Sequence, residues 1–243
     1  MSFALIYHPN KRHLVNQIAK SGLNILLSQH NKKNYNIVLT GGTSGSDLAD
    51  CLVKYLNKRK YVYFLKKTEL HFWLSDERFV EKNSDKRNAN IVLNSLKNLS
   101  KEYVVFFHEM KSAENYSIEN AKNLYEKELE LNLKSDIFDL VILSLSSDGH
   151  LASIFSTSKK CDLSSSKVEV TQNPLVESPL RLSLSLSQLA QTKMLIILAY
   201  QEKLHLRKRR FLKDPSSIVS RLIELVVMNN SQSTILIYTN EEE

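Results

Sequence analysis

The residues best suited to chemistry in this chain are Asp148 and His150, two positions apart across Gly149 in the segment FDLVILSLSSDGHLASIF, 138–155. A neutral imidazole can take a proton near pH 7, and a carboxylate beside it can orient it, so the pair could act as a general base. A structural histidine satisfied by its own turn is the alternative that the local pattern leaves open. Elsewhere, groups suited to anions recur. Gly41-Gly42-Thr43-Ser44-Gly45-Ser46 could aim backbone N–H groups at a phosphate, or be a plain tight turn. Asp76-Glu77-Arg78 is either a solvated turn or part of the same crevice. Arg181 shares a strand face with Ser183 and Ser185, either as a surface charge or as an anion ligand. Lys203 falls where a helix should begin, against the helix dipole, which makes an anionic partner worth considering.

These residues need a scaffold, and the apolar pattern supplies one. Strands are expected at 3–7, 36–40, 70–74, 103–107, the apolar run from Phe138, 167–171, 180–186, 194–199 and 234–238. Helical spacing appears over 11–28, through Leu48, Cys51, Leu52, Tyr55 and Leu56, around 90–99, and over 117–133 with Ser117 as cap. Further helices are expected after His150, after Tyr200, and from Asp214-Pro215-Ser216-Ser217. On 117–133 the inward face should carry Ile118, Ala121, Leu124, Tyr125 and Leu129. Strand, turn and helix in alternation build an open α/β sheet whose strand C-termini share one crevice, and that is where the polar motifs fall. No linker or internal repeat interrupts 1–243, so a single α/β domain is expected.

Composition narrows the function classes. The chain is 42% hydrophobic and 24% charged, with a net charge of +7, an ordinary globular profile. Only Cys51 and Cys161 are present, which excludes a disulfide framework and a cysteine zinc site and suits a reducing compartment. Phe3–Tyr7 is too short for a secretory leader, and no later run approaches a membrane span, so a cytoplasmic protein is expected. The basic run Arg207–Arg210 is bracketed by Leu204, Phe211 and Leu212 at helical spacing and reads as a solvated helix face; no nucleic-acid partner is expected. The histidines show no ligand spacing, so no metal or other cofactor is expected. A monomer or weak homo-oligomer is the expected state.

The motifs also come in a recognisable order. Gly41-Gly42-Thr43 follows the second strand, Asp76-Glu77-Arg78 the tryptophan strand, and then come Asp148-Gly149-His150-x-Ala152-Ser153-x-Phe155, Pro179-x-Arg181-x-Ser183-Leu184 and Lys203. Over about residues 36–239 this resembles the family that 6-phosphogluconolactonases share with glucosamine-6-phosphate deaminases. The resemblance implies a doubly wound, mainly parallel single sheet with helices on both faces, a Rossmann-like fold. The lactonase branch is favoured: deaminases carry a glutamate five residues after the histidine, where this chain has Phe155, and Asp-Glu-Tyr where it has Asp76-Glu77-Arg78. The implied reaction is hydrolysis of 6-phospho-D-glucono-1,5-lactone in the oxidative pentose phosphate pathway, with a sugar-phosphate lactone as the only partner. His150 would be the general base, and Asp148 would orient it or contact the sugar. Gly41, Gly42, Thr43, Asp76, Arg78, Asn88, Arg181 and Lys203 would form the substrate site. An amino-sugar-phosphate deaminase or isomerase, and a non-catalytic sugar-phosphate binder, are the alternatives. The chain departs from the lactonase pattern at Ser144 and Ser146, where glycines are usual, and at Leu151, where threonine is usual.

Overall fold

The inner strands of a seven-stranded parallel sheet alternate their side chains between two separate apolar cores. The computed structural model describes residues 3–29, 32–133, 137–155, 166–173, 179–200 and 210–240. In chain order the elements are β1 (Ala4–Tyr7), α1 (Lys11–Ser28), β2 (Asn34–Leu39), α2 (Gly42–Leu56), α3 (Arg59–Leu65), β3 (Glu69–Leu74), β4 (Asp76–Arg78), α4 (Asn88–Leu96) and β5 (Val104–His108). There follow α5 (Ile118–Asn132), β6 (Leu140–Ser144), β7 (Val168–Gln172), β8 (Leu180–Leu184), α6 (Leu186–Leu189), β9 (Met194–Ala199), α7 (Arg210–Lys213), α8 (Ile218–Asn229) and β10 (Thr234–Thr239). The main sheet runs β1-β10-β9-β6-β2-β3-β5, and every neighbouring pair in it is parallel.

A parallel sheet covered on both faces needs strands that are apolar on both faces. On β6, Leu140 and Ile142 face one core while Val141 and Leu143 face the other; β9 repeats this with Met194, Ile196 and Leu198 against Leu195, Ile197 and Ala199. Helices α1, α2 and α4 close the first core through residues such as Leu14, Leu48 and Val92; α5 and α8 close the second through Tyr125 and Val219. Short polar side chains fix where helices begin: Asn10, Ser117 and Ser217 accept backbone N–H bonds at the starts of α1, α5 and α8. At the amino end of β6, fully buried Asp139 accepts the Asn36 N–H at 2.9 Å and pairs with Lys193 at 2.9 Å and with Lys32.

Five expectations change. The chain forms a second, three-stranded antiparallel sheet, β4-β8-β7, in addition to the parallel one. Asp76-Glu77-Arg78 is therefore a strand, with Asp76 opposite Ser183 and Arg78 opposite Arg181. Among the described residues no helix follows His150: Leu151 and Ile154 form an isolated bridge, and Ala152 lies at φ 51°, outside helical backbone. α2 begins at Gly42 rather than after Ser46, so the glycine segment is itself the helix start. Leu124 is 37% exposed rather than inward, while Ala121, Tyr125 and Leu129 are buried. The expected helix through Leu204 lies largely in 201–209, outside the described residues, as does Lys203. No helix among the described residues is long and apolar enough to cross a membrane.

Candidate active site

After β2 the chain winds outward through β3 and β5, then returns to place β6 on the other side of β2. Such a reversal leaves a crevice at the strand C-termini. Here it has a volume of about 280 Å³ and is lined by Thr40 to Ser44, Asp76, Arg78, Asn88, Ser144 to Ser146, His150, Ala152 and Arg181. Two larger grooves, of about 460 and 620 Å³, run along α1 and share Arg12 and Asn16. Neither of them contains His150, Arg78 or Arg181, which the crevice brings together with the amino end of α2.

One wall is built around Asn88. Its amide oxygen accepts the Gly42 N–H at 3.1 Å and Arg78 Nη1 at 2.5 Å, while its Nδ2 donates to the Asp76 carbonyl at 2.9 Å. Arg78 Nη1 also donates to the Lys86 carbonyl at 2.8 Å. A Cβ on Gly41 would fall inside the Asn88 amide, so only glycine lets the two come this close. Because Asn88 occupies the Gly42 N–H, the donors left at the start of α2 are those of Thr43 and Ser44, which have no acceptor among the described residues. Two N–H groups at the positive end of a 15-residue helix form a ready anion site.

Glu77 holds this wall from beneath. Fully buried, it accepts the backbone N–H groups of Arg78 (2.8 Å), Asn88 (2.7 Å) and Ala89 (2.8 Å), which ties β4 to the first turn of α4. Arg87 Nε lies 3.5 Å from the same carboxylate. Burial pushes the Glu77 carboxyl up to about 7, against the opposing pull of those N–H donors and the Arg87 guanidinium. Asp76 is also buried, and its carboxylate accepts Ser75 Oγ at 2.9 Å and Ser153 Oγ at 2.6 Å. It thereby pins the segment after His150 to β4.

The facing wall is the turn after β6. His150 Nδ1 lies 2.6 Å from Asp148 Oδ1, and this contact, ahead of a hydroxyl from Ser146, holds the Asp148 carboxyl well below the usual carboxylate range. With Nδ1 directed at the carboxylate, Nε2 is the nitrogen left for a substrate or water. Gly149 closes the turn at φ 89°, and a Cβ there would meet the Phe211 ring at 2.6 Å. The Phe155 ring packs 4.8 Å from the imidazole, centroid to centroid.

The structure thus brings Gly41, Gly42, Thr43, Asp76, Arg78, Asn88, Arg181 and His150 around one crevice, with Asp148 behind His150. Arg78 and Arg181 are register partners on β4 and β8, and Arg181's proton affinity is lowered by burial and by Arg78's charge. Two neighbouring guanidiniums repel each other until an anion sits between them. Asp76 and Asn88 spend their polar atoms on the protein, as braces for the site. Sequence reasoning gave no role to Glu77 or Ser153; the signal for Glu77 was its place between Asp76 and Arg78. Among the described residues, no group of three or more histidine, cysteine, aspartate or glutamate side chains could hold a metal ion.

Comparison with known proteins agrees with this architecture. The family profile Glucosamine-6-phosphate isomerases/6-phosphogluconolactonase matches residues 9–225. A 6-phosphogluconolactonase from Haemophilus influenzae is 29% identical over 157 residues, 62% of this chain and 61% of that protein. One from Thermotoga maritima is 42% identical over 89 residues, 35% of this chain and 37% of that protein. These matched stretches span less than two thirds of either relative. Among solved structures, 6-phosphogluconolactonase from Trypanosoma cruzi aligns with a TM-score of 0.76 at 22% identity, covering 99% of this chain and 95% of that one. The Thermotoga maritima structure aligns at 0.70 and 22% identity, covering 98% and 100%. The structural likeness establishes a shared fold, and the profile spans nearly the whole sequence: the chain belongs to the glucosamine-6-phosphate isomerase/6-phosphogluconolactonase family.

Proposed function

We propose that this chain hydrolyses 6-phospho-D-glucono-1,5-lactone to 6-phosphogluconate, a step of the oxidative pentose phosphate pathway. One juxtaposition carries the reading: a histidine–aspartate pair opens onto a crevice whose opposite wall holds two neighbouring arginines and the amino end of α2. The first can activate water and the second can hold a phosphate. His150 Nε2 takes a proton from water as its oxygen bonds to the lactone carbonyl carbon, and Asp148 stabilises the imidazolium that forms. Collapse of the tetrahedral intermediate breaks the bond from that carbon to the ring oxygen, which leaves with the proton from His150. The phosphate is held by Arg78, Arg181 and the N–H groups of Thr43 and Ser44, with Lys203 a further candidate on sequence grounds. Fixing the phosphate places the carbonyl, so binding and chemistry are served by opposite walls.

Phe155 favours hydrolysis over amino-sugar isomerisation, because an apolar ring lies against His150 where a deaminase would carry a carboxylate. The decisive assay follows freshly made lactone with wild type and His150→Ala. Wild type should exceed the spontaneous rate and His150→Ala should fall to it. A wild type no faster than the background, or a variant as fast as wild type, overturns the assignment. Release of ammonia from glucosamine 6-phosphate would move it to the isomerase branch.

A further inference from the structure

The serine at position 146 replaces a glycine of the lactonase pattern, and its hydroxyl has a defined place. Ser146 Oγ bonds Asp148 Oδ1 and lies 3.0 Å from the His150 carbonyl oxygen. That same Oδ1 receives His150 Nδ1 at 2.6 Å. Two side chains therefore draw on one carboxylate oxygen, and Asp148 Oδ2 has no partner among the described residues. The backbone of the turn closes without the hydroxyl: Ser146 N–H donates to the His150 carbonyl at 3.1 Å, and Gly149 N–H to the Ser146 carbonyl at 3.2 Å. A glycine or alanine at 146 would keep both bonds and lose only the side-chain contacts.

We propose that Ser146 is a positioning residue that acts through Asp148, drawing charge from the carboxylate oxygen that holds His150 and so lowering the proton affinity of the imidazole. The function of this tuning rests on His150 being the base of the reaction above. A carboxylate shared between a hydroxyl and an imidazole stabilises the imidazolium less than one given wholly to the imidazole. The base then stays unprotonated to lower pH than it would with glycine at 146. Asp148 lies well below the usual carboxylate range, with His150 as the largest cause and Ser146 among the others. Among the described residues, the charges near the pair from neighbouring elements are Arg78 and Asp76 on β4, Arg181 on β8, and Arg210 on α7, whose guanidinium lies over the Phe211 ring that covers Gly149. None of these contacts the Ser146 hydroxyl, so removing the hydroxyl leaves their contributions in place.

The test is a histidine NMR titration of wild type, Ser146→Ala, Ser146→Gly and Ser146→Thr, with His150→Ala identifying the resonance. The His150 midpoint should rise by about half a pH unit or more in the alanine and glycine variants. It should stay at the wild-type value in the threonine variant, which keeps a hydroxyl. The acid limb of kcat/KM for lactone hydrolysis should move upward by the same amount, with KM at neutral pH little changed. An unchanged or lowered midpoint in Ser146→Ala overturns the proposal. So does a rise in Ser146→Thr equal to that in Ser146→Ala. The titration needs no turnover, so an inactive wild type would refute the lactonase reading alone, while the NMR still decides the role of Ser146.

Discussion

Gly41→Ala adds one methyl group, and the structure specifies what it meets. The glycine sits at φ −90° and ψ −166°, backbone that alanine adopts freely, so strain does not enter. The new Cβ would lie inside the Asn88 amide, and the amide must withdraw. Withdrawal breaks its bonds to Gly42, Arg78 and the Asp76 carbonyl. Two neutral bonds at about 1 kcal/mol each and one to a guanidinium at about 1.5 kcal/mol give a loss near 3–4 kcal/mol. For a chain of this size that is a fall in melting temperature of about 10 °C. Arg78 is left with only its bond to the Lys86 carbonyl while His150 on the facing wall is untouched, so KM should rise severalfold or more with kcat changed less. Asn88→Ala removes the obstacle, which gives a stringent control. In that background Gly41→Ala should cost under about 1 kcal/mol, a coupling of about 2 kcal/mol or more in a double-mutant cycle followed by urea denaturation. Additive losses would show that Gly41 is required for some reason other than Asn88, and the account of this wall would fall.

Two further predictions concern buried or bonded carboxylates. Asp148→Asn keeps the shape of the side chain but cannot stabilise an imidazolium, so kcat for lactone hydrolysis should fall about a hundredfold or more while KM stays within about threefold; steady-state kinetics decide, and a kcat within a few-fold of wild type would remove Asp148 from the mechanism. Glu77, raised to about 7 by burial, binds its proton more tightly folded than unfolded. Its contribution therefore favours the folded state at low pH and is lost as pH rises from the ordinary glutamate range through about 7. Urea midpoints from pH 5 to 8 should show this slope in wild type and a flatter one in Glu77→Gln; parallel profiles would contradict the burial argument.

How much of this was legible in the sequence depended on whether a residue's partner was close along the chain. β6, β9 and the helix over 11–28 announce themselves through local apolar runs and spacing. The Ser117 cap is equally local. Asp76-Glu77-Arg78 was ambiguous, because three charges in a row look like a solvated turn. What buries Asp76 and Glu77 is β8, about a hundred residues later, together with backbone donors of α4 that have no side-chain signature. The helix expected after His150 fails for a similar reason. Ser153 is held by Asp76 Oδ2 and by Ser183, so tertiary bonds claim the segment before a helical turn can form. Asn88 was legible as part of the site but not as the brace its three bonds make it. Ser146 stood out as a departure from a pattern; only its contact with Asp148 gives that departure a meaning.

The alternation of the strands between two cores has a consequence for how the molecule responds as a whole. Leu140, Ile142 and Ile196 belong to one apolar cluster, Val141, Leu143 and Ile197 to the other, and among the described residues no buried side chain belongs to both. The sheet is a partition, so packing changes on its two sides should combine additively. The crevice interrupts that partition: α2 and α4 rest on one cluster, while Leu145, Leu151, Ala152 and Ile154, around the His150 turn, rest on the other. A ligand spanning the crevice would join two otherwise independent layers. Its binding should then be felt as greater unfolding cooperativity across the whole domain, beyond any local tightening at the site.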